Sequence, residues 1–200
     1  QRQMCIRDRD IPVVFFNGYY PSLSGTYSVC ADNQAGGAEL VRHLIERGHT
    51  KIAGFFKSDD IQGHQRYSGF ISDLFRNGLI IPDENVFWYI TETKEELFNN
   101  PQEVLNRLGD NTAVVCYNDE VAFGLIKCLL SAGRRVPEDV AVVSFDNSNL
   151  SRISPVTITS LSYEDRNIGR IAAQKLVDIL NGKEVTSEVL PWTFIQKESS

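Results

Sequence analysis

Two hundred residues suit one α/β domain or two small lobes, and a chain of that size buries about 70% of its unfolded surface, enough for a real core. With 42% apolar and 23% charged residues the composition is that of a globular chain, not a disordered one. A formal net charge of −6, with Lys and Arg scattered, argues against a nucleic-acid surface in these residues, and no apolar stretch approaches membrane-spanning length.

In chain order, the opening QRQMCIRDR lacks the apolar segment of a signal peptide. It fits neither strand nor helix patterning and is expected to be a spurious extension, residues 1–9, on a native chain truncated ahead of Asp10. Short β-branched runs follow at IPVVFF (11–16), KIAGFF (51–56), VFWYI (86–90), TAVVCY (112–117), VAVVSF (140–145) and VTITSL (156–161). Most are unbroken apolar runs, as parallel strands covered on both faces require. A last run, EVLPWTFI (188–195), holds Pro191 and reads as an edge strand.

Amphipathic helices are predicted between these runs. One spans about 35–47 and stops at Gly48. A second gathers Tyr67, Phe70, Ile71, Leu74 and Phe75 and stops at Gly78; a third spans about 164–180 and stops at Asn181-Gly182. The alternation predicts a parallel, doubly wound α/β architecture. The helix of NDEVAFGLIKCLLSAG, 118–133, is apolar almost all round, which implies burial on more than one side. One side covers the sheet, and the other is expected to meet a second lobe or a second subunit, the homodimer being favoured.

Ligands of open parallel sheets bind outside the carboxyl ends of the strands. Three runs end there in polar clusters: FF-KSDD, VVCY-NDE and VVSF-DNSN. They supply Lys57, Asp59, Asp60, Asn118, Asp119, Glu120, Asp146, Asn147 and Ser148, and Arg66 lies four residues before Phe70, turned inward toward the same ends. Acceptor-only carboxylates beside donor-only Arg and Lys suit a polyhydroxylated ligand, because each hydroxyl both donates and accepts. Tyr19, Tyr20, Trp88 or Tyr89 could cover its apolar face, although Trp88, mid-strand, fits the core better. Each member also has a structural role open to it. Asn118 and Asp146 stand where helix N-caps belong, and Arg66 could pair with Asp59 or Asp60. Asp119 and Glu120 suit the first turn of a helix, and His64 reads as a solvated helix-start residue.

Enzymatic motifs are missing: there is no G-x-S-x-G, no phosphate-binding G-x-x-x-x-G-K-[ST] and no G-x-G-x-x-G after a strand. Lys57 beside Asp59 and Asp60 would neutralise the charge that a Mg²⁺ site needs. Cys5, Cys30, Cys116 and Cys128 have no C-x-x-C pair, and with His43, His49 and His64 they give no metal-ligand spacing. Buried reduced thiols are expected, with no metal, no cofactor and no catalytic residue.

The run TAVVCYNDEVAFGLIKCLLSAGRRVPEDVAVVSFDNSNLSRISPVTITSL resembles the effector-binding core of the lac repressor/galactose repressor family. FFKSDDIQGHQRYSGF is similar to the arabinose repressor subgroup, in which a GntR-type winged-helix domain precedes the core. The resemblance runs from about Asp10 to Lys197. It implies a two-lobed, periplasmic-binding-protein-like fold with a sugar in the cleft and three crossings near 57–63, 146–155 and 182–187. One lobe would comprise 10–58 with 155–182, an incomplete amino-terminal lobe, and the other 59–154 with 183–197. It further implies ligand contacts from Arg66, Asn118 and Asp146, with Lys57, Asp60 and Tyr89 added from the subgroup. The function implied is a cytoplasmic, homodimeric, sugar-sensing repressor domain, with L-arabinose or a similar pentose as effector and operator DNA read only through a missing amino-terminal domain. A transport receptor on the same fold is the alternative. The turn Asp146-Asn147 departs from the family, where a second Asp is common.

Overall fold

The computed structural model describes residues 11–20, 22–163 and 167–200; the expected extension 1–9 and Cys5 lie outside them. In chain order the elements are β1 (Val13–Phe16), β2 (Thr26–Ala31), α1 (Asn33–Glu46), β3 (Ile52–Lys57), α2 (Ile61–Arg76), β4 (Val86–Tyr89), α3 (Pro101–Leu108) and β5 (Ala113–Cys116). There follow α4 (Asp119–Ser131), β6 (Ala141–Phe145), the short α5 (Asn149–Ile153), β7 (Thr159–Ser162), α6 (Ile168–Leu180), β8 (Glu188–Leu190) and β9 (Thr193–Ile195). The α/β alternation is as the patterning predicts; β2, α3 and α5 are additions to it.

These elements divide into two compact units. One holds the described residues up to Ala31 and those between Tyr163 and Leu190; the other is Asp32–Tyr163 with Pro191–Ser200. The boundaries differ from those expected near 58, 154 and 182. The reason is strand pairing: β3 is hydrogen-bonded to β5, Ile52 opposite Ala113 and Phe55 opposite Cys116, so 32–58 belongs with the larger unit. The run EVLPWTFI also splits. β8 lies parallel to β2, whereas β9 lies antiparallel to β7. Pro191, which cannot donate to a ladder, falls between them.

The larger unit is built on a sheet of order β4-β3-β5-β6-β7-β9, parallel except for β9. β5, β6 and β7 are buried along their whole length, because helices cover both faces. The buried stripe of α2 runs Gly63, Arg66, Gly69, Phe70, Asp73, Leu74. That stripe is rotated from the expected one, leaving Phe75 78% exposed. The rotation follows from close packing. A Cβ at Gly69 would collide with the Gln34 carbonyl, and one at Gly37 with the Arg66 carbonyl, so α1 and α2 cross backbone to backbone where only glycine fits.

Helix α4 is indeed buried on two sides, but within its own unit. Val121, Ala122, Leu125, Ile126 and Leu129 share one core with β3, β5 and β6 and with Val104 and Leu108 of α3. Phe98 packs over Gly124, and Cys128 Sγ lies 3.8 Å from the Pro101 carbonyl. Part of the cover expected from a second lobe or subunit is supplied by α3 and the segment before it. Lys127 and Leu130 remain exposed and Phe123 half-buried. Cys30, Cys116 and Cys128 are buried free thiols, as expected.

The smaller unit is a parallel sheet of order β1-β2-β8, with α6 packed on β1 and β2. Its β1 is nowhere fully buried. A Lys175–Glu188 ion pair at 2.9 Å ties α6 to β8.

Candidate functional site

Within the larger unit the chain passes from β3 to β4 on one side of the sheet and then to β5 on the other. Such a reversal, at the carboxyl ends of β3 and β5, is the place where open α/β sheets bind ligands. Lys57 ends β3, Tyr117 and Asn118 follow β5, and Asp146 follows β6.

Arg66 lies at the centre. Its backbone sits in the second turn of α2, and the glycine-mediated approach of α1 brings Asn33 against it. The guanidinium donates from Nε to Asn33 Oδ1 at 3.0 Å, from Nη1 to the Tyr117 carbonyl and from Nη2 to Asp146 Oδ1 at 3.2 Å. Arg66 is 3% exposed. The rings of Phe145, Tyr117 and Trp192 surround the charge, with centroids 4.3, 4.7 and 5.5 Å from Cζ. Of two readings open in the sequence, a pair with Asp59 or Asp60 is thus not the one formed; Arg66 pairs with Asp146.

Asp60 organises the other side. It caps α2, accepting from Gly63 N–H at 2.7 Å, while its second oxygen accepts from Lys57 Nζ at 3.1 Å and from the Tyr117 hydroxyl at 2.6 Å. A carboxylate offers about four acceptor sites, so Asp60 is largely spent on fixing Lys57 and Tyr117. Partial burial works against the Lys57 ammonium, but Asp60 and then Asp59 together outweigh it and hold its pKa above the usual lysine value. Asp59 shares Lys57 through its Oδ1, 3.5 Å from Nζ, while its Oδ2 accepts from the Thr91 hydroxyl at 2.6 Å.

The Asp146-Asn147 turn has two consecutive left-handed residues, φ +92° and +46°, a conformation that costs of order 1–3 kcal/mol each and persists only when its surroundings enforce it. The enforcement is visible. Asp146 N–H donates to the Leu161 carbonyl at 2.8 Å and Asn147 N–H to Ser160 Oγ at 3.0 Å. Asp119, 1% exposed, accepts from Ser148 N–H at 2.5 Å and from Ser160 Oγ at 2.8 Å. Asp119 lies in the first turn of α4, as expected, but its carboxylate is spent on Ser148 and Ser160, and burial pushes its pKa up. Lys197 Nζ donates to Asn147 Oδ1 and Ser151 Oγ, both at 2.7 Å.

The structure therefore brings Lys57, Asp60, Arg66 and Asp146 together, with Asn118 beside Tyr117. Asn118 caps α4 through Oδ1, 3.1 Å from Val121 N, which leaves its amide NH₂ group for another partner. Tyr89 is set apart from this rim: it is 4% exposed and packs edge-on against Tyr117 at 6.1 Å, and burial raises its hydroxyl pKa well above the usual tyrosine range. Trp88 is 41% exposed, contrary to a core position, with the rings of Tyr67 and His64 4.9 and 5.6 Å from its own. Sequence reasoning missed Asn33, Tyr117 and Trp192. Tyr117 alone had a local signal, as the last residue before the Asn-Asp turn. Among the described residues no cluster of His, Cys, Asp and Glu could hold a metal ion, and no helix is long and apolar enough to cross a membrane.

The family model described as "periplasmic binding protein-like domain" matches residues 41–200, and the chain belongs to that family. An arabinose metabolism transcriptional repressor from Halalkalibacterium halodurans is 35% identical over 85% of this chain and 46% of its own length. One of the same description from Geobacillus stearothermophilus is 34% identical, covering 91% of this chain and 50% of its own length. The chain thus spans about half the length of these curated relatives. A solved LacI family transcriptional regulator from Enterococcus faecium, with bound ribose, superposes with a TM-score of 0.84 at 26% identity, over 98% of this chain and 72% of that one. The resemblance read from the strand-end motifs is thereby shown, and with it the fold class.

Proposed function

We propose that this chain is the sugar-sensing domain of a LacI-type transcriptional repressor, with a small neutral sugar, L-arabinose, held at the carboxyl ends of β3, β5 and β6. The observation that carries the reading is the buried Arg66, locked by Asn33, the Tyr117 carbonyl and Asp146 at the topological switch point. Those three bonds occupy three of the five guanidinium N–H groups, so two are left for a ligand oxygen. Around it the rim alternates donors and acceptors: Lys57 Nζ, the Tyr117 hydroxyl oxygen, the Asn118 amide and the half-exposed Asp146 carboxylate. A polyol, whose every hydroxyl needs one of each, fits such a rim. The two arabinose repressors among the relatives support a pentose, and so does the ribose in the E. faecium regulator.

On this reading the domain binds its sugar and catalyses no reaction. Sugar would stabilise one conformation of the full repressor and shift the population toward it, with a coupling of about 1–3 kcal/mol sufficing for induction. Operator DNA would be read by a separate domain of the full protein, in the cytoplasm, and the repressor would act as a homodimer, to which the exposed Lys127 and Leu130 and the half-buried Phe123 on α4 can contribute.

Calorimetric titration of the full protein with L-arabinose tests the reading. Saturable heat is expected, reduced about 100-fold in affinity by Arg66→Ala and comparably by Asp146→Ala, since each removes a charge-assisted bond at a buried site. Absence of heat at millimolar sugar, or wild-type affinity in both variants, overturns it.

A further inference from the structure

We infer that Trp192 is a positioning residue that ties the arginine of the sugar site to the three places where the chain enters or leaves the larger unit; the inference rests on the sugar-binding reading above. The chain crosses between the units after Ala31, after Tyr163 and after Leu190. Trp192 is two residues past the last crossing. Its indole N–H donates to the carbonyl of Asp32, the first residue past the first crossing, at 3.0 Å. Its ring lies 5.2 Å from the ring of Tyr163, the last residue before the second. One side chain therefore touches the flanks of all three crossings.

The same ring reaches the site. It faces the Arg66 guanidinium at 5.5 Å and packs edge-on to Phe145, whose own ring lies 4.3 Å from that charge. Trp192 is 9% exposed, and the first turn of α1 is shaped to receive it. A Cβ at Gly36 would stand 2.8 Å from the indole and 2.9 Å from Phe145, closer than carbon atoms pack. Asn33, next to Asp32, accepts from Arg66 Nε. Arg66 is thus held from two directions by groups rooted at the crossings, by Asn33 at the first and by Trp192 at the third. An apolar residue at 192 would fill the volume, but only an aromatic ring offers a face to the cation, and only Trp adds the N–H that fixes the ring to Asp32.

The test is the affinity of the full protein for L-arabinose in Trp192→Ala and Trp192→Phe, with ¹⁹F spectra of 5-fluorotryptophan-labelled wild type, the Trp192 resonance being assigned by its loss in Trp192→Phe. Trp192→Ala is expected to weaken binding at least tenfold, Trp192→Phe to recover to within about threefold, and the Trp192 resonance to shift on saturation. A folded Trp192→Ala with wild-type affinity overturns the inference. If that variant does not fold, the wild-type spectrum decides: a Trp192 resonance unmoved by saturating sugar overturns the inference while leaving sugar binding intact. A wild type that takes up no sugar overturns the functional reading and this inference with it.

Discussion

The two units use the same parallel-strand grammar and reach different degrees of closure. In the larger one β5, β6 and β7 are buried along their whole length, and Leu125, Ile126, Leu129, Phe55 and Phe145 are fully enclosed. In the smaller one β1 is half-exposed throughout and α6 buries only Ile168 and Ala172. Lys57, Asp60, Arg66, Tyr89, Asn118 and Asp146 all fall in the larger unit. A precise arrangement of charges needs a rigid frame, and only doubly covered strands supply one here.

Truncation should expose the contrast most strongly. Leu125→Ala is expected to cost about 3–4 kcal/mol, because α4 is packed on both sides and cannot collapse into the void, whereas Ile168→Ala in the smaller unit should cost about 2 kcal/mol or less. Urea unfolding of the two variants measures this, and equal losses would break the comparison. Gly69→Ala comes next. Its new methyl meets the Gln34 carbonyl, so α1 and α2 must separate, at about 2 kcal/mol. On the proposed function arabinose affinity should fall with it, because Asn33 moves off Arg66; a Gly69→Ala protein as stable and as tight-binding as wild type would show that the helix crossing does not set the site.

The smallest effect concerns acid. All three histidines lie in the larger unit. Burial, then the charges of Arg47 and His49, lowers the His43 pKa from 6.5 to about 4, and burial lowers that of His49 as well. A folded-state pKa below the unfolded one means that the unfolded chain binds the proton better. Stability is complete above pH 6.5 and falls as pH drops from 6.5 toward 4. His43 is half-buried, so solvent screening reduces its share to about 1 kcal/mol. Thermal melts at pH 7 and pH 4.5 should differ less in His43→Phe than in wild type; an unchanged difference would remove His43 from the account.

Much of this was legible because it is local. The fully buried strands announce themselves as unbroken β-branched runs. Arg66, Asn118 and Asp146 stand at fixed offsets from strand ends, where a parallel sheet must open. What escaped is what depends on distant partners. β2 (TYSVCA) has too mixed a pattern to read as a strand until β1 and β8 flank it. The cover of α4 comes from Phe98 and α3, which at eight residues with only Val104, Leu105 and Leu108 apolar is too short to stand out from the pattern alone. The unit boundaries follow from β3 pairing with β5 rather than from any linker composition. Trp192 and Asn33 reach Arg66 only through the fold, across 126 and 33 positions of chain.

Between the last residue of β8 and the first of β9 there are only Pro191 and Trp192. Such a connector has no slack: adding or removing a single amino acid would turn one of the two strands over, since neighbouring side chains in a strand face opposite ways. Either the third strand of the smaller sheet would present its wrong side, or the indole would swing out of its niche beside Gly36. The length of this joint is consequently as constrained as the residues that fill it, and a duplication or loss of one codon there should be tolerated far less well than most substitutions at the same spot.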